Sequence, residues 1–169
     1  MRKAILLTLL FLYLAPVYAQ ANYPSKQDIR AALKDVDYAL RRFEEVSGKM
    51  NFARWDAPYD LVESSQKSLE VTLSEIRNAR DWMGTVENSD RVSAFAILQV
   101  YHAVSDVAAD ASSFSRREVE FAKEYPLATD LAQVATLSTK AEGKLRALLW
   151  QQVEAEEKEL KLCRSAKKR

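Results

Sequence analysis

Three glycines and four prolines punctuate a chain of 169 residues, and they are not scattered. After Pro24, the residues Gly48, Pro58, Gly84 and Pro126 separate long stretches that contain no other breaker except Gly143. Glycine and proline are the residues that end helices. Confining them to a few boundaries leaves segments in which the apolar residues recur at helical spacing. No stretch alternates apolar and polar residues for long enough to make a strand.

The first segment spans about 25–47. Ser25 followed by Asp28 makes a capping-box-like start. Ile29, Leu33, Val36, Leu40 and Phe43 step by four and three residues, which places them on one stripe. Asp28, Arg30, Lys34, Asp37, Arg41, Arg42 and Glu45 lie off that stripe, and Gly48 is positioned as the C-terminal cap. The second segment spans about 58–83. Asp56 or Ala57 is expected as its cap, with Pro58 in the first turn and Gly84 as the stop. Its buried face is predicted at Val62, Leu69, Leu73, Ile76 and Met83, with a looser layer where Ser65 or Gln66 stands between Val62 and Leu69.

The third segment is expected to start near Ser89-Asp90 and to run at least to Ala111, or on to Tyr125. Ile97, Val100, Val104, Val107, Ala111 and Phe114 carry its stripe; Phe95, Leu98 and Tyr101 widen the arc. Ser112-Ser113 is a candidate bend. Pro126 breaks the chain before a fourth segment at about 128–162, whose stripe is Leu131, Val134, Ala141, Leu145, Leu148 and Leu149. Gly143 lies inside that pattern and marks either a bend or a close helix contact. Beyond Trp150 the apolar pattern thins into glutamates and lysines, so this end is expected to project from the body. Four amphipathic helices on short connections predict an all-α, antiparallel up-down four-helix bundle.

The N-terminus reads as a secretory signal peptide of bacterial type. Met1-Arg2-Lys3 is followed by the apolar run Ala4 to Leu14 and by Ala15-Pro16-Val17-Tyr18-Ala19, with cleavage after Ala19 or Ala21. The domain reading is therefore 1–19 signal peptide, 20–163 one helical-bundle domain and 164–169 a basic tail. Once the leader is removed, no membrane-length apolar run is left. The expected location is periplasmic or secreted.

The composition excludes several function classes. The net charge is +1. Without Arg2 and Lys3 and without the tail, the body is mildly acidic, which argues against nucleic acid as a partner. Cys163 is the only cysteine, so no disulfide-stapled fold is possible within one chain. In an oxidising compartment it can link two chains, or it is a plain thiol near a helix end. His102 is the only histidine. It stands four residues before Asp106 but roughly opposite Val104 and Ile97, which reads as surface rather than ligand. No di-iron, haem, Walker, zinc-protease or nucleophile-elbow motif occurs. No cofactor and no metal are assigned, and an enzymatic role is not favoured.

Two segments remain as a possible interaction surface. Met50, Phe52, Trp55 and Tyr59 place large apolar side chains in a linker, either as a cap over the bundle end or as an exposed patch. Arg164, Lys167, Lys168 and Arg169 form the basic end, suited to anionic polymers or head groups. Trp82 and Trp150 also lie near helix ends and strengthen either reading if they meet. The functional expectation is a non-enzymatic macromolecular interaction in the cell envelope, with an envelope protein or an anionic polymer as partner. The alternative is a small-ligand or cofactor carrier with a cavity opened by Ser65/Gln66, Ser138 and Gly143.

Overall fold

The structure, a computed structural model, describes residues 22–89 and 91–166. The signal-peptide reading of 1–19, the cleavage points and Lys167, Lys168 and Arg169 lie outside them. The described residues form four helices and no strand: α1 Lys26–Ser47, α2 Tyr59–Asn88, α3 Ala94–Arg117 and α4 Tyr125–Ala166. A 3-10 turn, Phe52–Arg54, interrupts the first connection, and a π turn, Glu118–Ala122, follows α3. Among the described residues no helix is long and apolar enough to cross a membrane.

α1 forms as its sequence requires. Ser25 Oγ accepts from the Asp28 backbone N–H at 3.0 Å, which satisfies one of the orphan donors of the first turn. Ile29, Leu33, Val36, Leu40 and Phe43 are all buried. Gly48 caps the C-terminus with its N–H on the Glu44 and Val46 carbonyls, in ordinary right-handed conformation. Its glycine identity serves space rather than φ, since a Cβ there would stand 3.2 Å from the Glu44 carbonyl oxygen.

The boundaries of α2 differ from expectation at both ends. Pro58 is itself the N-cap, with no side-chain cap bond, and the helix runs through Gly84 to Asn88. Gly84 does not stop it because Met83 and Val86, on either side, are buried in the core; packing outweighs a propensity cost of about 1 kcal/mol. The expected loose layer is also filled. Ser65 is fully buried, donates to the Leu61 carbonyl and accepts from Arg117 Nη1 at 2.6 Å.

α3 starts at Ala94 behind the N-cap Ser93, not at Ser89-Asp90. Two α4 side chains set that start: Gln152 Nε2 donates to the Val92 carbonyl and Glu156 Oε1 accepts from the Ala94 N–H. The six stripe residues from Ile97 to Phe114 are all buried, whereas Phe95 is exposed and packs edge-on against Trp82. The helix continues unbroken through Ser112-Ser113; its irregularity comes at Glu118–Ala122. Lys123, left-handed at φ 56°, turns the chain. Pro126 therefore does not break the chain; it sits in the first turn of α4, where a missing N–H costs nothing.

The helices run up, down, up, down. Tyr101 bonds to Glu142 and Ser115 to Ala128, so α3 and α4 are antiparallel. Ser65 meets Arg117 while Trp82 meets Phe95, so α2 and α3 are antiparallel too. Lys144 with Asp35 and Glu159 with Tyr23 set α1 against α4. The α3–α4 seam is the most extensive, α1 lies on α4, and the α1–α2 side is the thinnest. Arg80 closes that side with a two-pronged bond to Glu44, at 2.9 and 2.6 Å.

Gly143 is exposed on α4, and a Cβ there would touch nothing within 4 Å. It marks no close helix approach, and neither does Gly84. Both are in helical conformation, so Gly84→Ala and Gly143→Ala should each stabilise the fold by about 0.5–1 kcal/mol. Chemical denaturation of the single variants checks this; destabilisation by Gly143→Ala would restore a packing role for that glycine.

Candidate functional site

The end of the bundle where α1 and α3 finish holds a connection rich in aromatic residues. The chain leaves Gly48, makes the 3-10 turn under an Asn51 cap and returns at Pro58. This linker is drawn inward rather than displayed. Trp55 is 7% exposed, and Phe52 and Met50 pack on the core. The Phe52 ring lies edge-on to Trp55 at 4.8 Å and to Phe114 at 6.4 Å, and Trp55 stacks on Phe121 at 6.2 Å. The Asp56 N–H donates to the Phe121 carbonyl. Of the two readings of Met50, Phe52 and Trp55, these contacts match the cap: Trp55 is buried and Met50 and Phe52 are half-buried against the core, where aromatic area of this size is stabilised by leaving water. Tyr59 alone of the four stays outside, at 80% exposure.

The polar centre of this end is Glu118. It continues the α3 stripe one step beyond Ala111 and Phe114, and its residue is only 1% exposed. Its Oε1 accepts from Trp55 Nε1 at 3.0 Å. Its Oε2 has no hydrogen-bond partner among the described residues. Burial pushes the carboxyl above the ordinary glutamate range, and the nearby Glu124 adds to this; the Trp55 bond opposes both. The Glu118 carbonyl accepts from the Glu124 N–H at 3.2 Å, closing the π turn. π turns recur at functional sites, and a buried carboxyl with a shifted pKa marks a candidate site.

Glu118 lines an open cleft of about 330 Å³ with Lys49, Arg54, Glu124, Leu127 and Asp130. Arg54 reaches Glu124 across it at 3.4 Å. Sequence reasoning missed Glu118, Glu124 and Asp130. The available clue was a glutamate at the stripe position following Phe114.

The other predicted positions lie elsewhere. Arg164 and Cys163 are exposed on the last turns of α4, so the basic end begins as helix. α4 is buried up to Ala155 and runs on to Ala166. Leu160 and Leu162 are 58% and 41% exposed on that extension. Trp82 packs on Phe95, while Trp150 is exposed on α4; no ring contact among the described residues joins the two tryptophans.

His102 is exposed and lies edge-on to the Tyr101 ring. It makes no hydrogen bond to Asp106 among the described residues. Burial raises the Asp106 carboxyl, helped by Asp110 and opposed by His102. Asp110 accepts from Ser68 and Thr72 of α2 at 3.0 and 2.5 Å, which makes it a helix–helix tie. Among the described residues no group of three or more His, Cys, Asp or Glu is placed to hold a metal ion. Of the positions expected to open a cavity, Ser65 is buried and bonded, Gln66 and Gly143 are exposed, and Ser138 is buried with its hydroxyl unpartnered. Compared with protein-family models, with curated proteins and with solved structures, the chain matches none.

The Glu118 arrangement sets a pH dependence. Its folded-state pKa is raised, so between the unfolded glutamate value and the folded value the native state holds a proton that the unfolded chain has lost. Stability therefore falls as pH rises through that window. Glu118→Gln keeps an acceptor for Trp55 Nε1 and removes the titration. Its melting temperature should exceed that of the unmodified chain at neutral pH and converge with it near pH 4. Parallel melting curves over that range are the check, and a constant offset would deny the role of Glu118.

Proposed function

We propose that this chain is an exported bacterial helical-bundle protein, periplasmic or secreted, that acts through non-enzymatic macromolecular interaction in the cell envelope. The observation that carries the reading is the α4 extension. Residues 156–166 continue past the last fully packed layer at Ala155 as helix, for about 16 Å at the usual rise. Leu160 and Leu162 stand exposed on it, and helical surface of that kind is stabilised when a partner covers it.

The charge order along this arm supports the same reading. Glu154, Glu156, Glu157 and Glu159 come first, and two of them are used internally. Glu156 caps α3, and Glu159 bonds Tyr23 and pairs with Arg91. Arg164 follows, with Lys167, Lys168 and Arg169 beyond it in the sequence. The distal part is therefore basic in sequence, which suits an anionic polymer, an anionic lipid surface or an acidic protein face. The expectation of export rests on the basic start, apolar run and small-residue boundary of residues 1–21.

The internal bonds of Glu156 and Glu159 define the cleanest test. Deleting 160–169 spares both, so the shortened chain should melt like the full one. It should lose most of its retention on phosphatidylglycerol vesicles and on immobilised envelope proteins. Retention by the full chain should weaken with salt, as screening over about 10 Å at 0.1 M demands. Undiminished retention of the shortened, folded chain would sink the arm as the contact surface.

A further inference from the structure

The outer side of α4 carries a face of its own. Trp150, Val153, Glu157, Leu160 and Arg164 follow one another at steps of three and four, so they share one stripe. At 3.6 residues per turn this stripe lies about 150° round the helix from the buried one at Leu145, Leu148, Gln152 and Ala155. Trp150 is 64% exposed and Leu160 58%; Val153 is half-buried, and Glu157 and Arg164 are exposed. Arg164 has no ion-pair partner among the described residues. Glu157 meets only Lys161 of its own helix, at 3.6 Å with both side chains largely in water, and such a pair contributes little. The face therefore holds exposed apolar area together with one acid and one base that the bundle does not use.

The order of the charges points to the occupant. Glu157 stands three residues before Leu160, and Arg164 four residues after it. We propose that this face docks a second copy of the chain, with the two α4 arms antiparallel about a two-fold axis at Leu160. Each Arg164 then stands opposite the Glu157 of the other copy, with the two Leu160 side chains between the pairs. One surface serves both partners, as two-fold pairing requires, and the three-four spacing keeps two packed helices in register. A parallel arm instead sets Glu157 on Glu157 and Arg164 on Arg164, which repels at both places. An anionic lipid or polymer is a poorer occupant, because Glu157 stands in the middle of the face. The last packed layer, Ala155, falls level with Ser165 of the second copy, so the two bundles lie toward opposite ends of the pair. The proposal rests on the reading of the α4 arm as a contact surface and adds what covers its apolar side.

Sedimentation equilibrium of the chain recovered from an exporting host is the test, run with reductant so that Cys163 links nothing. A reversible monomer–dimer equilibrium is expected. Arg164→Glu sets like charges together at two places and should weaken the dimer about tenfold. Adding Glu157→Arg to Arg164→Glu swaps the pair at unchanged net charge and should restore it. Leu160→Asp should abolish the dimer. All three positions are exposed, so melting curves like that of the unmodified chain show that the variants fold. A chain that stays monomeric at every concentration overturns the proposal, and so does a double variant that associates no better than Arg164→Glu. Retention on phosphatidylglycerol vesicles, read in parallel, separates the two readings. A retained monomer ends the pairing and leaves the arm as a contact surface; a dimer that the vesicles do not retain upholds the pairing and removes the lipid surface as a partner.

Discussion

Everything in this fold depends on one stripe of α4. Leu131, Val134, Ser138, Ala141, Leu145, Leu148, Gln152 and Ala155 follow one another at alternating steps of three and four, and all are buried. That spacing keeps a single face toward the neighbouring helices along the whole seam. α3 packs along it, and α1 lies on its flank. α2 reaches the body chiefly through α3, by way of the Asp110 and Ser65 bonds and through Arg80 on the α1 side. The described residues form no sheet to share the burden, so helix stripes supply nearly all of their apolar burial.

The two ends of the bundle are built differently. At one end α4 outruns its partners and leaves a helical arm with apolar and basic side chains in water. At the other end the chain folds an aromatic linker back over the core and seats a glutamate beneath it. A carboxylate under an indole, in a π turn closed by a left-handed lysine, is an expensive arrangement for a loop whose only task is to connect two helices.

Most of the fold was legible in the sequence because helix periodicity is a local property. The stripes of α1 and α3 were read residue by residue, and each of those residues is buried. The boundaries were less legible. Gly84 is a helix breaker by propensity, yet Met83 and Val86 hold the helix through it. The start of α3 is set by Gln152 and Glu156, some sixty positions away in the chain. The candidate site was less legible still. Trp55 and Phe52 stood out as residues, but not the direction in which they point, and Glu118 became visible only once Trp55 was placed beside it.

By itself the sequence determined that this chain is helical, where the apolar faces of α1 and α3 lie, and which catalytic and metal-binding motifs it lacks, since each of these depends on residue type and spacing along one segment; on α2 only Ile76 and Met83 of the expected face are buried, beside Ser65, Thr72, Ala79 and Val86. The tertiary structure alone decided that the aromatic linker closes the core instead of facing solvent, that a side chain at Gly143 would meet open space, and that the buried Glu118 is bonded by Trp55. Those outcomes depend on contacts between residues far apart in the chain, and a burial free energy exists only when both partners are in place.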